Sequence, residues 1–166
     1  PLDLAVVSKV LLPWDTESGY GAVAFDGSVQ WNEPLIEALG LDAGTIEAGL
    51  AATREKVARR VRTLRHGRPF PDLGGVTAVL VDDGLASGFT MAVAVEAVRR
   101  AGAAAVIVGV PTGHDTALRR LAPRVDALYC ANERGGRMFA VADAYRRWTD
   151  VSEDEVRALL EDPGRP

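Results

Sequence analysis

The sequence predicts an α/β fold in which helices flank a mainly parallel sheet. From residue 76 onward, short apolar runs alternate with helical patterns, as in consecutive strand–helix–strand units. Before that point, residues 43–64 form a long amphipathic helix pattern. The chain has 166 residues, enough for one domain with its own core. We therefore expect residues 1–166 to form a single domain.

The N-terminal half is predicted to hold a strand, a hairpin and two helices. Leu4–Val7 is short, apolar and β-branched, as in a buried strand, and residues 9–20 indicate a loop. Residues 21–32 carry Asp26-Gly27 between two alternating runs, which is typical of a β-hairpin. A short helix ends near Gly40. The next helix has apolar residues at helical spacing: Ile46, Leu50, Val57, Val61 and Leu64.

The C-terminal half alternates between strands and helices. The predicted elements are the strands Val76–Val81, Ala104–Val110 and Val125–Cys130 and the helices Thr90–Ala101 and His114–Leu121. Such alternation favours a parallel, helix-covered sheet. A short apolar piece follows at Met138–Val141. The last helix, near Ser152–Leu160, begins with a capping box formed by Ser152 and Glu155.

Composition narrows the class of protein. The net charge is −4 and the pI about 5.2, which does not favour binding to nucleic acid. Cys130 is the single cysteine, so no internal disulfide can form, and we expect a cytoplasmic protein. No apolar run is long enough for a membrane span, and the N-terminus lacks a signal-peptide pattern. We therefore expect no membrane partner.

The segment V-L-V-D-D-G-L-A-S-G-F-T, residues 79–90, indicates a ligand site. Asp82 and Asp83 follow a predicted strand, and ligands of open α/β sheets bind at the carboxyl ends of strands. The small residues after them let backbone N–H groups converge at a helix N-terminus, which suits a phosphate, with hydroxyls from Thr90 and Ser87. The carboxylates suit neighbouring hydroxyls or hydrated Mg²⁺. The alternative is a simple charge pair at a helix N-terminus.

This segment resembles the diphosphoribosyl-binding signature of type I phosphoribosyltransferases. Val79, Leu80 and Val81, with Ala78 before them, precede the acidic pair, and small and hydroxyl residues follow it in the family's order. Gly84 departs from the usual aliphatic residue, and we expect it only to loosen the turn. More loosely, nearly the whole chain is similar to a bacterial and archaeal branch known as predicted phosphoribosyltransferases. The fold implied is the type I phosphoribosyltransferase fold with a β-hairpin inserted after the first strand.

The resemblance implies transfer of 5-phosphoribosyl from phosphoribosyl diphosphate to a nitrogenous acceptor, a nucleobase, with release of pyrophosphate. Asp82 and Asp83 would hold the ribose hydroxyls and Lys9 the leaving group. The 5-phosphate would lie on Gly84, Leu85, Ala86, Ser87, Gly88, Phe89 and Thr90. The cofactor Mg²⁺ would be held mainly by the substrate, near the acidic pair. The resemblance also implies a mobile loop at 10–20, a hood at 131–150, and a homodimer in which Lys9 serves a neighbour's site.

Two departures leave an alternative function open. Ser8 stands where this branch has an arginine beside the lysine, which removes a bidentate phosphate clamp. The helix, strand and glycine-rich pyrophosphate loop that the family places earlier are absent from this sequence. We expect either a longer native protein or a domain without part of its catalytic apparatus. The alternative is a non-catalytic sensor of phosphoribosyl diphosphate or nucleotides.

Several other residues keep two interpretations each. The basic stretch Arg59–Arg68 is a solvated helix end or a phosphate or partner contact. His114 is a helix cap or a catalytic group, and Cys130 is a core residue or a reactive thiol. Aromatic residues that could stack on a base or simply pack are Trp14, Tyr20, Phe139 and Tyr145. The sequence lacks the motifs typical of phospho-acceptor receiver domains and of dinucleotide-binding dehydrogenases, so we do not expect either class.

Overall fold

The computed structural model describes residues 2–136 and 139–161. Its strands are β1 Val7–Leu11, β2 Gly19–Ala24, β3 Val29–Trp31, β4 Thr77–Val81, β5 Ala105–His114 and β6 Ala127–Arg134. Its helices are α1 Glu33–Leu39, α2 Ala43–Arg65, α3 Phe89–Arg100, α4 Asp115–Leu121 and α5 Glu153–Glu161. Short 3₁₀ helices lie at Ala122–Arg124 and Val141–Ala144.

The strands form two separate three-stranded sheets. One is antiparallel with the order β1-β2-β3, and the other is parallel with the order β4-β5-β6. The α/β class and the hairpin at 21–32 are confirmed: β2 and β3 turn at Asp26-Gly27, where Gly27 has φ 88°. That left-handed conformation favours glycine. The first strand pairs with this hairpin and does not enter the parallel sheet.

Helix α3 lies between the two sheets and is buried on both sides. Met91, Val95 and Val98 pack against the parallel sheet. Val93 and Ala97 pack against Ala22 and Ala24 of β2. Each fully buried valine stabilises the fold by roughly 1.5–3 kcal/mol. Because α3 directly follows β4, this packing fixes the helix N-terminus at the carboxyl end of that strand.

Helix α2 covers the antiparallel sheet, as its apolar stripe predicts. Val57 is buried in a cluster with Val10, Tyr20 and Val23. The carboxylate of Asp42 caps the first turn by accepting from the N–H of Thr45 at 2.9 Å. The helix spans residues 43–65 and so ends one residue later than the sequence predicts. The agreement is close because the signals that start and end a helix are local.

The parallel sheet is covered by helices on one face only. Residues of α3 and α4 pack against Val106, Val108 and Val110 of β5. On the other face, Val79, Val81 and Tyr129 are 61%, 75% and 66% exposed. They are neighbours across the strands, since Val81 pairs with Gly109 and Gly109 pairs with Tyr129. Parallel sheets are ordinarily buried on both faces. We call these three side chains, with Ile107 between them, the bare face.

The predicted first strand, Leu4–Val7, is wrong in position. Strand β1 begins at Val7 and runs to Leu11, so Lys9 lies inside a strand. The predicted loop at 9–20 shrinks to residues 12–18, because Leu12 N–H donates to the Ser18 carbonyl at 3.0 Å. Asp15 closes this connection by accepting from the N–H groups of Glu17 and Ser18. Mobility of residues 10–20 stays a prediction.

Several C-terminal boundaries also differ from the prediction. Strand β5 runs from Ala105 to His114 and not from Ala104 to Val110, so the next helix begins at Asp115. Strand β6 runs from Ala127 to Arg134 and not from Val125 to Cys130, because its polar end pairs with the long strand β5. Of the predicted apolar piece, Met138 lies outside the described residues, and Val141 begins a 3₁₀ helix. The capping box is confirmed, since Ser152 and Glu155 bond each other's backbone N–H groups. No helix of the part described has the length and apolar character to cross a membrane.

Candidate functional site

The acidic pair lies at the carboxyl end of β4, an edge strand of the parallel sheet. Asp83 N–H donates to Asp82 Oδ1 at 3.0 Å, and solvent reaches both side chains. Partial burial by surrounding protein atoms, with the charge of Asp83, raises the pKa of Asp82. Burial also raises the pKa of Asp83. Two carboxylates held in this way attract a cation or hydroxyl donors.

Lys9, on the other sheet, lies near enough to this pair to act on it electrostatically. Its charge lowers the pKa of both Asp82 and Asp83, which opposes the effect of burial. Its Nζ donates to the Glu17 carbonyl at 3.3 Å, so the β1–β2 connection holds the ammonium group. The structure therefore places the three predicted catalytic side chains in one region, although they come from two sheets. Their catalytic roles stay predictions.

The loop after the pair is attached to the end of β5. Leu85 N–H donates to the Thr112 carbonyl at 3.0 Å, and His114 N–H donates to the Leu85 carbonyl at 2.8 Å. Leu85 is buried, whereas Ala86 and Ser87 are exposed. Attachment at Leu85 therefore leaves Ala86 and Ser87 at the surface, whereas Gly88, directly before α3, is buried.

The start of α3 leaves backbone donors open. Gly88 is the residue before the helix, with φ 78°, a conformation that favours glycine. Within the described residues, its N–H group has no acceptor. The first-turn N–H groups of any helix, here from Phe89, also lack partners within the helix. Together with the positive end of the helix dipole, such donors suit an anion. Binding of the 5-phosphate to this loop stays a prediction.

Gly84 allows close packing, so the expectation that it only loosens the turn is wrong. A Cβ atom there would lie 2.7 Å from Val141 Cγ1 and 2.9 Å from Thr112 Cγ2. Its φ is not in the left-handed region, so space and not backbone conformation requires glycine. The missing side chain lets the segment containing Val141 lie directly against the acidic turn.

Residues 139–148, within the predicted hood, lie beside the acidic pair. Tyr145 Oη donates to the Asp83 carbonyl at 2.6 Å. Burial and the negative charges of Asp83 and Asp82 raise the pKa of this phenol. Tyr145 and Trp148 form an aromatic pair with ring centroids 5.1 Å apart, and both are partly exposed. A partly exposed pair of aromatic rings, tilted by 59° to each other, thus adjoins the acidic pair, and contact with an acceptor stays a prediction.

Arg120 is a residue of this region that the sequence analysis missed. From α4, its Nη1 donates to the Ser87 carbonyl at 2.6 Å. Its guanidinium lies over the Phe89 ring, 4.7 Å from the centroid. No local motif marks Arg120, because only the packing of α4 beside the β4–α3 loop brings it there. The sequence offered one signal for this contact: the predicted order of strands and helices, which places α4 after the strand next to β4.

Most of the other candidates have structural roles. His114 caps α4, with Nδ1 2.7 Å from Thr116 Oγ1, and Nε2 lies 2.8 Å from the Gly136 carbonyl oxygen. Tyr20 is fully buried and stacks on Trp31, so it cannot stack on a base. Cys130 packs against the core of the parallel sheet.

Contacts within the chain also account for part of the basic stretch Arg59–Arg68 and for Ser8. Arg59 and Arg60 form ion pairs with Glu153 of α5, so part of the basic stretch holds the last helix. Ser8 is 5% exposed, and strand alternation places its side chain on the face opposite Lys9. Its Oγ has no hydrogen-bond partner among the described residues. Position 8 thus faces the interior and not the acidic pair.

The site is an open sheet edge. Cavities of about 500 and 470 Å³ lie elsewhere, the first against Glu96 and Arg99 of α3 and the second against Phe70 and Arg68. Neither is lined by residues 82–90. We assign the ligand site by its donors and carboxylates and not by cavity size, because a phosphate needs convergent N–H groups more than enclosed volume.

Comparison with known proteins gives consistent matches. Residues 26–141 match the family model described as "Phosphoribosyl transferase domain". Two Mycobacterium tuberculosis proteins, "Putative phosphoribosyl transferase MT0597" and "Putative phosphoribosyl transferase Rv0571c", are 36% identical over 161 residues, which is 97% of this chain. The chain spans 36% of the length of each. The crystal structure of TT1426 from Thermus thermophilus superposes with a TM-score of 0.69 and 29% identity, over 95% of this chain and 74% of that one.

Proposed function

The chain belongs to the phosphoribosyl transferase domain family, and we propose that it transfers 5-phosphoribosyl from phosphoribosyl diphosphate to a nucleobase nitrogen, releasing pyrophosphate. In this reaction the bond from C1 to the pyrophosphate oxygen breaks, and that oxygen keeps the electron pair. A bond forms from C1 to the acceptor nitrogen, whose proton passes to solvent. Family membership supports phosphoribosyl transfer in general, and the nucleobase acceptor is our own inference.

One observation carries this proposal. The short connection from β4 to α3 brings together backbone N–H donors that suit a phosphate and carboxylates that suit hydroxyl groups. The open N–H groups at Gly88 and the first turn of α3 suit a phosphate. The carboxylates of Asp82 and Asp83 suit neighbouring hydroxyls. Ribose 5-phosphate carries both groups in one molecule, whereas an inorganic phosphate or a free sugar would use only part of the segment.

The same charges suit the chemistry of pentosyl transfer. Breaking the bond at C1 produces an oxocarbenium-like transition state, as in glycoside cleavage. Asp82 and Asp83 would place negative charge near that cation. The ammonium of Lys9 lies close enough to affect both carboxylates and would stabilise the departing pyrophosphate. Closure of the connection at 12–18 would exclude water from the activated donor.

The acidic pair also suits Mg²⁺. The ion would neutralise charge on the diphosphate when bound. Both carboxylates have a raised pKa, and Asp83 contributes to the shift of Asp82, so a nearby divalent cation would relieve their repulsion. In the described ranges, no group of three or more His, Cys, Asp and Glu side chains could hold a metal alone. Asp82 and Asp83 would therefore assist a metal held mainly by the substrate.

Turnover by the full natural chain tests the proposal. The protein would be incubated with phosphoribosyl diphosphate, Mg²⁺ and a panel of purine and pyrimidine bases, and pyrophosphate release would be measured. Base-dependent release that disappears in Asp82→Asn is the expected result. Without binding of the donor, the assignment of the site fails.

A sensor of phosphoribosyl diphosphate or nucleotides is the second candidate. The openness of the site favours it, because neither cavity is lined by residues 82–90, whereas transfer requires that water be excluded from the activated donor. Binding of the donor with no turnover on any base would establish the sensor. We further propose a homodimer, which sedimentation would test, and a cytoplasmic location, which suits the unpaired Cys130.

A further inference from the structure

We infer that Arg120 is a positioning residue that aims the Gly88 N–H group into the phosphate site. This inference rests on the proposed function of the loop at 84–90 and assigns a new residue to it. Arg120 belongs to α4, outside the segment that resembles the family signature. Its guanidinium contacts the loop twice, at the Ser87 carbonyl and at the Phe89 ring.

The geometry of one peptide plane links Arg120 to the phosphate donors. The Ser87 carbonyl and the Gly88 N–H belong to the same trans peptide, so they point in opposite directions. Arg120 Nη1 holds this carbonyl at 2.6 Å. The Gly88 N–H therefore points away from the Arg120 guanidinium, and the structure offers it no acceptor among the described residues. An arriving phosphate would supply that acceptor.

The surroundings of the loop make this orientation specific. Gly88 has φ 78°, and the position of its absent Cβ lies 3.3 Å from Ala117 Cβ, so α4 packs directly against the loop. Because glycine populates many backbone conformations, the peptide before it can rotate unless something holds it. A charge-assisted hydrogen bond is roughly twice as strong as a neutral one. Arg120 supplies it, and the Phe89 ring keeps the guanidinium in place.

Arg119 offers a matched control. It is the neighbouring residue on the same helix, carries the same charge, and is exposed. Its ion pair with Asp115 at 3.1 Å lies on the helix surface and does not contact the loop. A general loss of positive charge near the site would affect Arg119→Gln and Arg120→Gln alike. Loss of a directed peptide orientation would affect only the second variant.

The test is titration of the full natural chain with ribose 5-phosphate, followed by calorimetry and by the Gly88 amide resonance. In the wild type, we expect binding and a downfield shift of the Gly88 amide proton. Arg120→Gln should bind about tenfold more weakly and show no such shift, since hydrogen bonds to charged groups commonly carry that factor. Arg120→Met, which keeps an unbranched apolar stem but removes the guanidinium, should behave in the same way. Arg119→Gln should match the wild type within about twofold.

The outcomes separate this inference from the proposed function. Wild-type affinity and a normal Gly88 shift in either Arg120 variant would overturn the inference and leave the function standing. Equal weakening in Arg119→Gln and Arg120→Gln would also overturn it, because charge alone would explain the result. A wild type that binds neither ribose 5-phosphate nor phosphoribosyl diphosphate would overturn both. If one Arg120 variant does not fold, the other decides.

Discussion

Replacing Gly84 with alanine should destabilise the protein, although alanine is closer to the aliphatic residue usual in the family signature. The new Cβ would lie 2.7 Å from Val141 Cγ1 and 2.9 Å from Thr112 Cγ2, closer than carbon atoms tolerate. Thr112 is buried in β5 and cannot move freely. The acidic turn or the segment at 139–145 must therefore shift.

The size of the effect follows from opposing contributions. Forcing extra atoms into a packed site costs about 1–3 kcal/mol. Replacing glycine with alanine restricts the unfolded chain and returns about 0.4–1 kcal/mol. The φ of Gly84 adds no backbone strain, because it lies outside the left-handed region. The expected net loss in the free energy of unfolding is therefore about 1–2 kcal/mol.

Urea unfolding of Gly84→Ala, Val141→Ala and the double variant measures this contact directly. Removing the Val141 methyl groups should recover about 0.5–1.5 kcal/mol of the loss as coupling, with the remainder due to Thr112. Gly109→Ala is the control, because a Cβ there meets nothing within 4 Å and its φ is ordinary for alanine. It should be neutral or slightly stabilising. A urea midpoint for Gly84→Ala at or above the wild-type value would refute the packing argument, as would the absence of coupling with Val141→Ala.

Other substitutions test the remaining parts of the site. Asp82→Asn should abolish binding of ribose 5-phosphate in calorimetry. It should also unfold at higher urea than the wild type at about pH 7, because the raised pKa of Asp82 means that its ionised form opposes folding. That advantage should shrink as the pH falls towards the unfolded value of 3.8, and a constant advantage would contradict it. Gly88→Ala should lower the free energy of unfolding by about 1–2 kcal/mol in urea, because φ 78° is unfavourable for alanine. Tyr145→Phe should cost about 0.5–1.5 kcal/mol in the same assay, and an unchanged midpoint would show that its hydrogen bond to Asp83 contributes nothing.

The sequence predicted best what local signals determine. Helix α2 was placed to within one residue because the apolar stripe that predicts it lies entirely within the segment. The connection from β4 to α3 was also predictable, since residues 79–90 contain a complete strand end, turn and helix start. Strand β1 was misplaced because Lys9 and Val10 become a strand only by pairing with β2.

The parts of the site that the sequence did not reveal depend on tertiary packing. Arg120 reaches Ser87 from 33 residues away, and only the adjacency of β4 and β5 brings α4 to the loop. The role of Gly84 depends on Val141, which lies beyond β6 in the chain. Arginine and glycine are common residue types, and in both cases the role of the residue depends on which side chains pack against it in the folded protein. No periodicity or spacing along the chain encodes such a contact.

The bare face links folding to association. A molecule that covers Val79, Val81 and Tyr129 would bind the folded sheet and not the unfolded chain, so by mass action its concentration would add to the stability of the domain. At a hundredfold excess over its dissociation constant, that addition is about 2.7 kcal/mol. Because β4 ends at Val81, directly before Asp82, the strand stabilised in this way also carries the acidic pair. By thermodynamic reciprocity, a sugar phosphate that stabilises this strand end would also tighten binding of that molecule to the bare face.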